Sequence, residues 1–151
     1  MKAILRDALV VLALFWLPVV SGCEEDKNKL FGSVSEVYPL AFDAVSVSIQ
    51  GSFLVIEYTK GSGKVVKLSL SNENLTVQPG QSIDLLMPVT SGTRGTLQRI
   101  VETTIELPMM TGTLTLDGVP KVGAQLTGHF RTLLMVPSGR TLNGDFSATV
   151  H

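Results

Sequence analysis

Few residues in this 151-residue chain are of types that could do chemistry. Cys23 is the only thiol, and His129 and His151 are the only imidazoles. A metal centre needs three or four converging ligands, and one cysteine with two distant histidines does not supply such a set. We therefore predict no metal site and no cofactor. We expect His129 to be a solvated residue on the outer side of a strand, next to Arg131.

Serine and carboxylate chemistry is equally sparse. No serine lies in the Gly-x-Ser-x-Gly turn that exposes a hydrolase nucleophile. Glu102 and Glu106 fall on one side of a predicted strand, where four residues hold them about 13 Å apart. Glycoside hydrolysis requires carboxylates about 5–10 Å apart. The stretch 61–64, Gly-Ser-Gly-Lys, lacks the full phosphate-loop pattern and precedes a predicted strand instead of a helix. The sequence therefore indicates that the protein is not an enzyme.

Composition argues against two further classes. The chain has a formal net charge of −1 and shows no cluster of lysine and arginine, whereas nucleic-acid binders usually carry a basic patch. We therefore expect no nucleic-acid partner. The only tryptophan is Trp16, and the scarcity of aromatic residues argues against a carbohydrate-binding face, although Tyr38 and Tyr58 leave that role open. A single cysteine excludes an internal disulfide, so the fold must rest on its core.

The first 22 residues have the three parts of an export signal. Lys2 and Arg6 precede an apolar run at residues 8–20 that contains no charge. Thirteen helical residues span about 20 Å, which is shorter than the hydrocarbon core of about 30 Å. The segment is therefore typical of a cleaved secretory signal rather than of a permanent transmembrane helix.

The signal ends in Val20-Ser21-Gly22-Cys23, which resembles the lipobox of bacterial lipoproteins. The resemblance implies cleavage between Gly22 and Cys23, a diacylglycerol on the Cys23 sulfur and a fatty acyl group, such as palmitate, on the new amino group. Each buried methylene contributes about 0.8 kcal/mol of membrane affinity, so two or three chains form a lasting anchor. The next residue is Glu24 and not the aspartate that retains many such proteins in the inner membrane. We therefore expect attachment to the outer membrane, facing the periplasm.

The remaining chain reads as one domain behind a short linker. We assign residues 1–22 to the signal, 23–32 to a lipidated polar tether and 33–151 to the folded domain. Apolar residues recur with a period of two almost throughout this domain, which indicates strands. The predicted strands are residues 33–38, 44–50, 53–59, 64–70, 75–77, 81–87, 96–107, 111–116, 126–134 and 142–150. Met109-Met110 is predicted to be a partly buried plug in a loop.

The last two predicted strands repeat the pattern Leu-x-Gly-x-Phe. A glycine inside a strand weakens it unless something needs the space. We predict that each phenylalanine ring covers the glycine of the neighbouring strand. With turn signals at short spacing, the whole pattern predicts an all-β fold, either an antiparallel β-sandwich or a small closed or partly open barrel of 8–10 strands. We expect no helix of note outside the signal.

The function that fits these features best is that of a membrane-anchored, non-enzymatic envelope lipoprotein that binds or scaffolds another envelope protein. One alternative is a β-barrel that carries a small ligand or lipid, and another is an inhibitor or immunity-type lipoprotein. A packed interior with an exposed apolar patch would favour protein binding. A closed barrel with a large apolar cavity would favour the ligand carrier.

Overall fold

The computed structural model describes residues 27–100 and 102–151. The predicted signal, its cleavage site and Cys23 therefore lie outside the described residues. The elements are β1 (Lys29–Phe31), a 3-10 helix (Ser33–Glu36), β2 (Ala44–Gln50), β3 (Phe53–Lys60), β4 (Gly63–Ser71), β5 (Ser82–Asp84), β6 (Pro88–Val89), β7 (Gly92–Thr93), β8 (Gly95–Ile100), β9 (Thr104–Glu106), β10 (Met109–Leu116), β11 (Gln125–Leu134) and β12 (Thr141–Thr149).

Ten of these strands form two antiparallel sheets that pack face to face. Sheet 1 has the order β1-β12-β11-β10-β5, and sheet 2 has the order β2-β3-β4-β8-β9, while β6 and β7 form a small ribbon. Neither sheet closes on itself, so the structure is a sandwich. The prediction of an all-β antiparallel fold is confirmed, and of the alternatives that it allowed, the closed barrel is not found.

The core lies between the two sheets and follows from the alternation along the strands. In β11 and in most of β12 every second residue is buried, and the residues between them are partly exposed. The centre of β3 is buried on both sides, because Leu54, Val55 and Ile56 are all at most 2% exposed. Leu75 and Val77 pack against the core from the segment after β4. That segment is not the short strand predicted at 75–77.

The two Gly-x-Phe arms interlock as predicted. Gly128 lies directly opposite Phe146, and Phe130 lies opposite Gly144. A methyl group added at Gly128 would lie 2.8 Å from Cζ of Phe146, and one added at Gly144 would lie 2.7 Å from Cζ of Phe130. Each ring therefore occupies the space that the opposite glycine leaves.

Tyr58 of β3 links this hairpin to sheet 2. Its side chain is fully buried, and its hydroxyl donates a hydrogen bond of 2.9 Å to the backbone oxygen of Asp145. Its ring stands edge-on to Phe42 and Phe130, with centroid distances of 5.1 Å and 6.2 Å. Burial raises the pKa of Tyr58 well above its usual range, the Asp145 carboxylate adds to the rise, and Arg131 opposes it. Tyr58 is therefore a neutral core residue and no sugar-binding platform.

Three further predicted strands take other forms. Residues 33–38 contain the 3-10 helix instead of a strand, because Ser33 is drawn into hydrogen bonds with Thr141 of β12. Residues 96–107 fold back on themselves as the hairpin β8–β9, with Gln98 opposite Glu106. Only three residues of the predicted strand at 81–87 pair, as β5. The region 29–31, assigned to the tether, is the edge strand β1.

Sheet 1 has two ends. Its distal end contains the β11–β12 turn and the start of β10. The opposite end contains the loop 117–124 and the β2–β3 turn, joined through Val150 and His151. Val150 exchanges hydrogen bonds with Gly123 and Ala124, and His151 exchanges them with Val47 and Ile49 of β2. Asn28, at the start of β1, binds the backbone of Ser147. We call this second end the tether end.

Candidate interaction site

Among the described residues, the structure does not bring the predicted chemical residues together. Cys23 lies outside the described residues. His129 lies on the outer face of sheet 1, between Thr115 of β10 and Asp145 of β12. Asp145 is held by Arg131, whose Nη2 lies 2.6 Å from the carboxylate Oδ1. Within the described residues, no three histidines, cysteines or carboxylates come together as a metal site.

The carboxylates and the glycine-rich turn do not form a site either. Glu102 lies in the turn between β8 and β9, and Glu106 lies in β9, so the prediction that they share one strand is wrong. Lys64, at the end of the glycine-rich turn, forms an ion pair with Glu57, with 2.6 Å between Nζ and Oε1. The backbone of Gly61 donates to the Asp43 carboxylate. These contacts stabilise the β3–β4 hairpin.

The most distinctive surface feature is a group of apolar side chains at the distal end. Met110, Met135 and Val136 are 51%, 53% and 61% exposed, and together we call them the distal patch. Met110 belongs to the first strand of the β10–β11 hairpin, and the other two directly follow β11. Exposed apolar side chains that cluster in this way mark interaction sites more often than scattered ones do.

A β-bulge accounts for the outward position of Met110. Met109 pairs with Leu134 and Thr111 pairs with Leu133, so Met110 is an extra residue in β10. Met109 is 8% exposed and packs into the core, whereas Met110 faces solvent. A bulge of this kind redirects a side chain at the end of a ladder. The predicted methionine plug is thus divided between core and surface, and both residues belong to a strand.

The neighbouring turn is held rigidly by backbone hydrogen bonds. The amide of Met135 donates to the carbonyl of Pro108 at 2.7 Å, which joins the start of the turn to the strand that bears Met110. The amide of Leu134 donates to Arg140 at 2.8 Å, which closes the base of the turn. Arg140 in turn forms an ion pair with Glu36. The distal patch is therefore a fixed apolar surface with charged residues beside it.

The sequence pattern placed Val136 in the turn between the last two predicted strands and assigned no position to Met135, so it missed that both side chains are exposed. The available signal was the pair Met-Val just before Pro-Ser-Gly-Arg, since a solvated turn rarely begins with two large apolar residues. The doubled methionine at 109–110 was a second signal, because it breaks the alternation at the point where the bulge occurs. No local pattern, however, shows that these two segments meet.

A second surface feature lies at the edge shared by β1 and the segment that enters β2. It is a cleft of about 520 Å³, open to solvent and lined by residues 28–31 and 40–43. Phe31 is 41% exposed there, and the guanidinium of Arg131 lies 5.2 Å from the centre of its ring. The cleft therefore combines an exposed aromatic ring with a nearby guanidinium group.

In the part of the chain that the structure covers, no helix has the length and apolar character to cross a membrane. No known protein family, curated protein or solved structure matches the chain.

Proposed function

We propose that this protein is a non-enzymatic envelope lipoprotein, anchored through acyl groups on Cys23, that binds another envelope protein through the distal patch. The anchor rests on the sequence: a positive start, a short apolar run and the lipobox ending at Cys23. In this proposal the protein faces the periplasm from the outer membrane and needs no cofactor.

The observation that carries the binding role is the distal patch. Methionine is flexible and polarisable, so exposed methionines suit contact with a protein surface. The patch is built on a paired hairpin, so little order has to be gained when a partner binds. It also lies at the end of the sandwich opposite Asn28, where the chain leaves toward Cys23, so an anchored domain presents it away from the lipid.

A second candidate function is small-ligand binding in the edge cleft. Its exposed Phe31 and its volume of about 520 Å³ favour this role, because ligand pockets are usually lined by apolar and aromatic groups and measure about 300–1,000 Å³. The cleft is open to solvent, and the protein-binding role is therefore the one that we put first. An inhibitor or immunity-type lipoprotein would be a special case of protein binding.

A crosslinking experiment in membranes tests the proposal. A photoreactive amino acid is placed at Met110, and in a matched variant at Met87, which has the same exposure of 51% but lies outside the distal patch. We expect one discrete adduct from position 110 that is absent from position 87 and that is lost in the Met135→Ser background. Adducts of equal yield at both positions would refute a role for the patch.

The anchor is tested separately with Cys23→Ala. The wild-type protein should carry the mass of its acyl groups and sediment with membranes, while the variant should lack that mass and become soluble after export. A Cys23→Ala protein that stays bound to membranes with an unchanged mass would refute the anchor. The crosslinking result does not depend on that outcome, so the two parts can fail independently.

A further inference from the structure

We infer that the tether end of the sandwich rests on the phospholipid surface and that Val119 and Val122 insert into its interfacial layer. This inference deepens the proposed function and rests on the anchor at Cys23. It assigns a role to the loop 117–124, which neither the core nor the distal patch explains.

The position of Asn28 fixes which end faces the lipid. Asn28 accepts a hydrogen bond of 2.6 Å from the backbone of Ser147, and β1 runs antiparallel to β12. Traced backward, the chain therefore leaves the sandwich toward the tether end. Asn28 is the fifth residue after Cys23, and an extended chain over those five steps spans at most about 18 Å. The acylated residue, and hence the bilayer surface, is therefore close to this end.

Measured along the strands of sheet 1, the loop 117–124 lies at least as far toward the tether end as Asn28 does. Gln125, which follows the loop, pairs with Thr149, and Thr149 lies two residues beyond Ser147 on β12. Two strand residues correspond to about 7 Å. The loop thus extends past the point where the tether leaves, toward the anchor. The distal patch lies in the opposite direction, because the start of β12 at Thr141 is six residues, or about 20 Å, from Ser147.

The composition of the loop suits an interfacial position. Val119 and Val122 are 61% and 63% exposed. These exposed fractions are high for aliphatic side chains of a folded domain. Exposed Lys121 lies between them, where its ammonium group can meet lipid phosphates. Apolar groups of interfacial segments insert about 5–10 Å into the boundary between headgroups and acyl chains.

The loop is also held in shape before it meets a membrane. The amide of Asp117 donates to the carbonyl of Thr127 at 3.0 Å, and its carboxylate accepts a hydrogen bond of 2.7 Å from the Thr127 hydroxyl. At its other end Gly123 donates to Val150 at 2.8 Å. Two exposed valines on a pinned loop lose little conformational freedom when they enter lipid.

Single tryptophans provide the test, because removal of the predicted signal takes away Trp16, the only tryptophan of the chain. Val119→Trp is compared with Val136→Trp in the lipidated protein, reconstituted into phosphatidylcholine vesicles with and without brominated acyl chains. The two valines have the same exposure of 61% and lie at opposite ends of the sandwich. We expect Val119→Trp to be quenched about twofold or more, since an interfacial side chain lies within reach of brominated carbons, and Val136→Trp to be unaffected.

Flotation of the vesicles separates the possible failures. A protein that does not float with the vesicles overturns the anchor and this inference with it. A protein that floats with equal quenching at both positions, or with none at position 119, overturns the inference alone. Trypsin gives a readout on the unmutated protein: bound vesicles should slow cleavage after Lys121 but not after Arg140, which ends the β11–β12 turn at the distal end. Equal slowing at both sites would also overturn the inference.

Discussion

The interlocked glycine and phenylalanine residues of β11 and β12 give the sharpest prediction about stability. In Gly144→Ala, the new methyl carbon would lie 2.5 Å from the hydroxyl oxygen of Tyr58 and 2.7 Å from Cζ of Phe130. Both distances are far below van der Waals contact, and both side chains are fully buried. Neither neighbour can move outward without displacing the core between the two sheets.

The size of the effect follows from these two contacts. Forcing an extra methyl group into a packed core costs about 1–3 kcal/mol. Displacing Tyr58 also disturbs the hydrogen bond to the Asp145 carbonyl, which is worth about 1 kcal/mol. We therefore expect Gly144→Ala to lower the free energy of unfolding by about 2–4 kcal/mol. This is a large fraction of the 5–15 kcal/mol typical of a domain.

Urea denaturation of the domain without its signal measures this change. The control is Gly118→Ala, where the nearest atom to the new methyl carbon is Cδ1 of Leu126 at 3.8 Å, an ordinary contact. We expect that control to stay within about 0.5 kcal/mol of the wild type. In the background of Phe130→Leu, which removes the ring edge, Gly144→Ala should cost clearly less than it does alone. If Gly144→Ala matches Gly118→Ala, or costs the same with and without the Phe130 ring, the packing argument is wrong.

Three further predictions concern single residues. Burial keeps the Tyr58 hydroxyl neutral in the folded protein, whereas in the unfolded chain this hydroxyl ionises near pH 10. The free energy of unfolding of the wild type should therefore fall above that pH by up to about 1.4 kcal/mol per pH unit. Urea denaturation at a series of pH values should show a smaller slope for Tyr58→Phe. Arg94 is 3% exposed, and within the described residues its Nε and Nη1 have no hydrogen-bond partner. Arg94→Met should therefore raise the free energy of unfolding, measured by urea denaturation, by about 1–2 kcal/mol. A lower free energy of unfolding would show that the guanidinium has a partner in solution. Leu114 is fully buried in β10, so Leu114→Ala should lower the free energy of unfolding, measured by calorimetry, by about 2–5 kcal/mol. A change below about 1 kcal/mol would contradict a packed interior.

The regular part of the fold was predictable because one face of each long strand is buried. Alternation located β2, β3, β4 and the last two strands to within one or two residues, and the Gly-x-Phe repeat gave the register of β11 on β12. Alternation failed in other regions, and residues 96–107 show why. At residues 96–107 the hairpin returns Glu106 to the face of Gln98, so the period of two passes through the turn without a break.

The other failures came from contacts between distant parts of the chain. Ser33 leaves a strand conformation because Thr141 binds its backbone and its hydroxyl, across 108 residues. The distal patch likewise forms because the segment after Leu107 meets the segment after Leu134. A local sequence pattern contains no information about either of these long-range contacts. The lipobox-like motif that ends at Cys23, by contrast, is local, and the anchor proposed from it rests on the sequence alone.

The pairing of β1 with β12 has a consequence for the order of synthesis and export. Asn28 and Ser147, which the pairing brings together, are 119 residues apart along the chain. If the chain crosses the inner membrane with its amino terminus first, as the proposed signal requires, the edge of sheet 1 next to the anchor cannot form until β12 has also crossed. Closing so long a loop is slow compared with forming local hairpins. In such an export the pairing of β1 with β12 would be one of the last steps of folding.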